Sequence, residues 1–492
     1  HNTAKSLSIL VATSEITPFA KTSPIADLLS EEVLGMIELG HDVRVVIPKY
    51  GHVSERRNRI HEIKRLIGIP INVAGEDTPA TVKSSQIINS RAKSQVYVIT
   101  GEKYLDPYKG IYNDEVTGKP FQNNDERFIY FQKAILETCF QLGWKPDIIH
   151  CHGWQTALVP LLMKELYNDK NFFSHTKTVF TFSSLEDQGV FPISSFDKIG
   201  LAKKYLSSLE HNGKLNFMKA GLLHSDMITT VTTGNAKRVL EPKQANGLED
   251  ILKKRKSKLS GICYGVDSEK WNPKTDKLLL DKFTVDDREG KFENRSWLLE
   301  KVGFDDNTDI PILSIVGSMS ETSGHKLFFD ALKDFGSMNL QVIIADKGSD
   351  KKFFGNLQKE VKKYKNIRTY SECNNETEHL IYGGSDIMLF TDLSNLSHVE
   401  HLIAMDYGTV PIVPNHSAYS DMFVEYDRKK NVGNGFGYDY KLKNMLVAIN
   451  KAVDLYEDEV AWDELQVRIM KEDHSWKAIG QIYIDTVYRV KE

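Results

Sequence analysis

Several features are scarce in this chain, and each scarcity excludes something. Its four cysteines in 492 residues, Cys139, Cys151, Cys263 and Cys373, are too scattered for a disulfide framework or a zinc spacing. No apolar run approaches the roughly 18 residues that cross a bilayer. The opening also lacks the basic, apolar and small-residue order of a secretory leader, so a cytoplasmic, reducing setting without membrane attachment is expected. Charge of either sign is not in excess: 63 Lys and Arg against 67 Asp and Glu leave a formal −4. That balance speaks against nucleic acid as the partner. There is no G-x-x-x-x-G-K-[ST] phosphate loop, no H-E-x-x-H and no G-x-S-x-G elbow. Gly433-Asn434-Gly435-Phe436-Gly437 is glycine-rich but follows no strand-like run, which makes a dinucleotide site a poor reading. No metal site or cofactor is expected.

What the chain does have is ordinary globular composition, 41% apolar and 26% charged, and a length suited to two or three domains. Short apolar runs alternate with longer amphipathic ones. Leu7–Ala12, a helical pattern over Ile25–Leu39 and the run His41–Pro48 make an opening β-α-β unit. Further strand-like runs are Ser94–Ile99, Asp147–His150, Thr178–Phe182 and Met227–Thr230. Asn272, Pro273 and the charged stretch to about Lys291 read as a linker. The pattern then restarts at Ile310–Val316, Gln341–Ala345, Ile367–Tyr370, Asp386–Phe390 and Val410–Val413. The fold class is therefore α/β: two Rossmann-like, doubly wound domains facing a cleft. The expected boundaries are 1–268 with a returning helix at 477–492, and 269–476. Trp476–Val490 reads as an amphipathic helix crossing back to the first half.

Particular stretches go further. VATSEITPFAKTSPIADLL, GHDVRVVIPKYG, KPDIIHCHGWQTALVPLLMK, LNFMKAGLLHSDMITTVTT, GSMSETSG, GGSDIMLF, AMDYGTVPIV and EDHSWKAIGQIY occur in collinear order. In these the chain resembles the bacterial glycogen and plant starch synthases, retaining glucosyltransferases of the two-Rossmann (GT-B) type. The resemblance implies metal-free transfer of glucose from ADP-glucose to the non-reducing end of an α-1,4-glucan. It also implies an acceptor side in the first domain and a nucleotide-sugar side in the second.

The same resemblance exposes losses. A metal-free enzyme must offset the charge that develops on the departing diphosphate with fixed cations and N–H dipoles, each worth roughly 10²–10³ in rate. The family pattern S-R-L-T-x-Q-K-G falls on Gly317–Gly324, so its Arg position is Ser318 and its Lys position Ser323. The donor-sugar glutamate falls on Asn395, and the glycine opening the following helix on His398. Glu400 lies one turn further on, read as a solvated face. The glycine pair of T-G-G-L-A-D is replaced within His416–Asp421, where Tyr419 is expected to fill the vacated space. In the first half, K-T-G-G-L keeps Lys21 but has Ser23 and Pro24 for the glycines, and H-x-H-D-W-H keeps His152 but has Gly153 and Gln155. The H-N of the next strand is Ser183-Ser184.

No catalytic position is thus intact. The remaining candidates for holding a nucleotide sugar are Lys21, His152, Lys326, Lys347, Tyr407, Gly408 and Thr409. Retained residues such as Asp27, Trp154, Lys219, Asp226 and Asp386 suit turns, caps and packing. Two basic runs, Arg56 to Arg65 and Lys253–Lys258, suit solvated faces or an anionic partner. The expectation is a glycogen- or starch-synthase-like protein without catalysis, acting as a binding or scaffold member. Its partners would be ADP-glucose, a glucan, another protein or its own copies. The alternative is a working glucosyltransferase.

Overall fold

The computed structural model describes residues 5–348, 350–393 and 399–489. It separates into two compact units, one of His1–Val231, Asn235–Ile262 and Trp476–Glu492, the other of Thr232–Gly234 and Cys263–Ser475.

The first unit contains thirteen strands: Ser8–Ala12 (β1), Asp42–Pro48 (β2), His61–Glu62 (β3), Ile69–Val73 (β4), Glu76–Ile88 (β5), Lys93–Thr100 (β6), Ile148–His152 (β7), Lys177–Phe182 (β8), Val190–Phe191 (β9), Glu210–His211 (β10), Lys214–Asn216 (β11), Met227–Val231 (β12) and Leu259–Ile262 (β13). Ten form one sheet in the order β13-β12-β8-β7-β1-β2-β6-β5-β3, with β4 on β5. From β13 to β6 every pairing is parallel. These strands are covered on both faces, which is why they read as unbroken apolar runs. Beyond β6 the sheet turns antiparallel. The long strand β5 (EDTPATVKSSQII) buries every second residue over much of its length. Its Thr, Lys, Ser and Gln positions hide it from a search for apolar runs.

The helix Ile25–Glu38 packs on the returning helix Trp476–Tyr483, which continues as a wider turn over Ile484–Tyr488. Trp476 donates from Nε1 to Glu31 at 2.9 Å, and a side chain at Gly35 would meet the Trp476 Cβ at 2.7 Å.

The second unit holds Ile312–Gly317 (β14), Gln341–Asp346 (β15), Ile367–Tyr370 (β16), Ile387–Leu389 (β17), Val410–Pro414 (β18) and Phe436–Tyr438 (β19). All are parallel, ordered β16-β15-β14-β17-β18-β19. Counted along the chain, this is the doubly wound order 3-2-1-4-5-6. The reversal between β14 and β17 is matched in the first unit by one between β1 and β7.

The stretch expected as a linker is no free connection. Trp271, Leu279 and Phe283 join the core of the second unit. Asp276, 5% exposed, accepts from the Tyr407 hydroxyl at 2.5 Å and pairs with His379 Nδ1 at 2.6 Å. Trp271 stacks on that histidine at 3.8 Å. A charged, proline-containing stretch became a buried strap because its apolar residues are spaced to reach the core between turns. At the far end of the unit, His474 is enclosed between Asp406 (2.7 Å) and Glu472 (2.9 Å).

Candidate functional site

In doubly wound sheets ligands bind outside the carboxyl ends of the strands where the order reverses. Each unit has one such place, and the sequence candidates fall around both.

In the first unit the loop after β1 is organised by Glu15. Its carboxylate accepts from the Thr22 amide at 3.0 Å, the Thr22 hydroxyl at 2.7 Å and the Tyr112 hydroxyl at 2.7 Å. Lys21 is half exposed and its ammonium rests on Asp27, which also accepts from Thr17 Oγ1 at 2.5 Å. So exposed a pair is weak and can be exchanged for another anion. Pro24 caps the following helix without a side-chain bond. The Ala26 and Asp27 amides turn back to the carbonyls of Ser23 and Pro24 at 3.2 and 3.1 Å. N–H groups that a glycine turn could present to an anion are thus used locally.

After β7, His152 stacks on His150 with ring centroids 4.2 Å apart. The structural bonds belong to His150, which meets the Tyr488 and Thr181 hydroxyls, both at 2.6 Å. His152 has a buried Nε2 with no hydrogen-bond partner. Burial pushes its pKa down to about 3, so the imidazole is neutral and suited to a hydroxyl rather than an anion. Gly153 has φ +78°, and a Cβ there would lie 2.6 Å from Gln155 Oε1. A side chain at this position would be strained by the positive φ and would have to displace the Gln155 amide.

In the second unit the loop after β14 closes on itself. Ser323 donates its amide to Ser320 Oγ at 3.2 Å, and the two hydroxyls lie 2.5 Å apart. Ser318 and Lys326 are exposed. Asp346, which ends β15, accepts from the Met319 and Gly348 amides, each at 3.0 Å. Two N–H groups at the strand ends therefore point at a carboxylate. Lys347 reaches Glu378 at 2.9 Å. Although burial opposes it, Glu378 and then Glu400 raise the Lys347 pKa, so this ammonium already faces two carboxylates of its own chain. Glu400 is accordingly no solvated bystander: it is half-buried, its Oε2 accepts the Val399 amide at 2.9 Å, and its charge reaches Lys347, Tyr382 and Tyr419. Asn395 and His398 lie outside the described residues. Tyr419, 3% exposed, packs on Phe390 at 4.8 Å and occupies the position of the expected glycine turn.

Tyr407, Gly408 and Thr409 lie elsewhere and are committed. Tyr407 and Thr409 are fully buried. The Thr409 hydroxyl donates toward the carbonyls of Tyr382 (2.7 Å) and Ser385 (3.0 Å), and the Gly408 carbonyl accepts from Gln466 at 3.1 Å. Lys291, which the sequence reading passed over as the end of a linker, is buried with them. It donates to the Tyr407 carbonyl at 2.8 Å and to Thr409 Oγ1 at 3.1 Å. These three candidates, offered above for a nucleotide sugar, serve the interior instead, because their polar groups are saturated there. Asp346 and Glu378 were missed. Asp346 was findable, as the acidic residue closing the apolar run QVIIAD; Glu378 gave no signal.

The family model for the starch synthase catalytic domain matches residues 8–254. A glycogen synthase from Pelodictyon phaeoclathratiforme is 30% identical over 490 residues, covering 99% of this chain and 98% of that one. One from Chlorobium limicola is 32% identical over 489 residues, with 99% and 98% covered. Among solved structures, the catalytic domain of starch synthase IV from Arabidopsis thaliana bound to ADP and acarbose aligns with a TM-score of 0.75. That alignment has 24% identity and covers 98% of this chain and 99% of that one, a likeness of fold. With a doubly wound sheet in each unit and family similarity along its whole length, the chain belongs to the glycogen and starch synthase family of glycosyltransferases.

Proposed function

We propose that this chain keeps the scaffold of its family without glucosyl transfer and works as a cytoplasmic binding or scaffold member. The observation that carries this reading is the charge around the ends of β14 and β15. Ser318 and Ser323 stand at the two cation positions, Asp346 takes the Met319 and Gly348 amides, and Lys347 is held by Glu378. Stabilising a leaving diphosphate needs the opposite arrangement, with donors aimed outward and positive charge in excess. Removing one such donor costs roughly 10²–10³ in rate, and two cations are missing. On this reading the first unit is the acceptor side, where the open Nε2 of His152 suits a sugar hydroxyl, and the second is the degraded nucleotide-sugar side.

The competing reading is a working glucosyltransferase with ADP-glucose as donor and an α-1,4-glucan as acceptor. Full-length similarity to chains named glycogen synthase favours it, as does Lys21 on its exchangeable pair with Asp27. Incubating micromolar protein with radiolabelled ADP-glucose or UDP-glucose and a glucan separates the two. The proposal expects no glucan labelling and no nucleotide release above a protein-free control. Turnover that rises in proportion to protein concentration overturns it.

A further inference from the structure

A cavity of about 230 Å³ lies in the first unit, well away from the strand ends described above. Its wall includes Lys164, Lys177, Arg255 and Lys258, with His224 beside them and Asp226 as the one carboxylate among its described residues. Lys177 begins β8, Met227 begins β12, and Lys258 immediately precedes β13. The cavity therefore sits at the amino ends of parallel strands whose carboxyl ends face the other way. A strand of five residues spans about 17 Å.

Among the described residues, three buried polar atoms of its lining have no hydrogen-bond partner: Arg255 Nε, His224 Nε2 and Ser225 Oγ, the last on a residue 2% exposed. Buried polar groups are ordinarily satisfied, so three orphans in one wall call for a ligand. Neither Lys164 nor Arg255 hydrogen-bonds to a carboxylate. Lys164 donates to the His224 carbonyl at 2.8 Å, and Arg255 to the Ser225 carbonyl. Asp226 is itself occupied by the Thr178 amide at 2.8 Å. Lys164 and Arg255 do cap the end of the helix Phe217–His224. But a helix terminus amounts to only about half a negative charge, far less than Lys164, Arg255 and Lys258 together carry.

We infer that this cavity is an anion site for a phosphate dianion, free or as a small phosphomonoester, bound by Arg255, Lys258 and Lys164 with Ser225 and His224 as hydrogen-bonding partners. Its volume is below the roughly 300–1,000 Å³ of drug-sized ligand pockets, which suits a phosphate with a few carbon atoms. His224 supports the assignment. Burial first, then Lys164 and Arg255, push its pKa down to about 4, so it is neutral in the empty site. An anion held against Lys164 and Arg255 would remove that repulsion and raise it.

The test is calorimetric titration of the full chain with inorganic phosphate and, separately, glycerol 3-phosphate, at constant ionic strength in chloride. Saturable binding of either is expected, weakened about tenfold or more in Lys258→Gln, whose ammonium makes no bond that folding needs. It should stay within twofold in Lys253→Gln, an exposed residue of the same basic run. Tighter binding of glycerol 3-phosphate assigns an organic ester, and equal binding free phosphate; both support the site. Arg255→Gln is checked by circular dichroism, and the His224 imidazole resonances should titrate at higher pH with phosphate present. Absent saturation, equal weakening by Lys253→Gln and Lys258→Gln, or an unmoved His224 titration overturns the assignment.

Discussion

Charges in the interior of the second unit and charges around its strand ends obey different rules. Inside, each is surrounded by partners. Arg295 has the Asp386 carboxylate and the carbonyls of Asn307 (3.1 Å) and Ile310 (2.6 Å). Lys291, whose pKa burial pushes down to about 7, has the carbonyls of Gly383 and Tyr407 and the Thr409 hydroxyl. At the strand ends the balance is lopsided, with Asp346, Glu378 and Glu400 around the ammonium of Lys347. The contrast follows from cost. Removing one partner of a buried pair strands the other, at about 3–5 kcal/mol. Changing an exposed residue such as Ser318 costs about 0.5 kcal/mol or less. Substitutions can therefore accumulate at the rim while the interior keeps the family legible.

The sharpest way to break this contrast is Asp386→Ala. It orphans Arg295, 3% exposed, and also deprives the Ile312 amide of its acceptor at 2.8 Å. A loss of about 3–5 kcal/mol is expected in denaturant unfolding. Tyr407→Phe removes one of the two side-chain donors to Asp276 and should cost about 1.5–3 kcal/mol by the same measurement. A cost no larger than that of a rim substitution would mean the interior is not the constrained region.

His474 gives a pH-dependent version. Burial works against its charge, but hydrogen bonds to Asp406 and Glu472 raise its pKa to about 9. Since that exceeds the ordinary value of 6.5, its stabilisation is complete below 6.5 and disappears as pH climbs through about 9. The melting temperature of His474→Gln should lie below that of the parent at pH 6 and converge on it by pH 10. The smallest effect on stability is expected from Ser318→Arg with Ser323→Lys, within about 0.5 kcal/mol. ADP affinity should nevertheless rise about tenfold or more, because charge-assisted bonds are worth about 1.5–3 kcal/mol. No gain would locate the deficit in the carboxylates of the rim instead.

The doubly wound pattern was legible because strands buried on both faces must be apolar throughout. Ile367–Tyr370 was read to the residue, and the helix Ile25–Glu38 to within one. The antiparallel strand β5 escaped because one face of it is polar, and the strap over 271–283 because its few apolar residues are separated by turns. The serines at positions 318 and 323 were visible in sequence, since which residue stands at a position is a local fact. Placing Tyr407, Gly408 and Thr409 inside was not, because their partners, Asp276, Gln466 and Tyr382, come from elements far apart in the chain.

The return of residues 476–488 to the first unit has a consequence for synthesis. The groove beside Gly35 and the hydroxyl that His150 requires are supplied only after the intervening 263–475 have been translated. At about 5–20 residues per second, a nascent first unit waits on the order of 10–40 s with that apolar face and a buried-to-be histidine uncovered. During that interval the second unit, all but three of whose residues form the single stretch Cys263–Ser475, is free to fold. The half made first is thus completed last, and the ribosome-bound intermediate is where chaperones would be expected to engage.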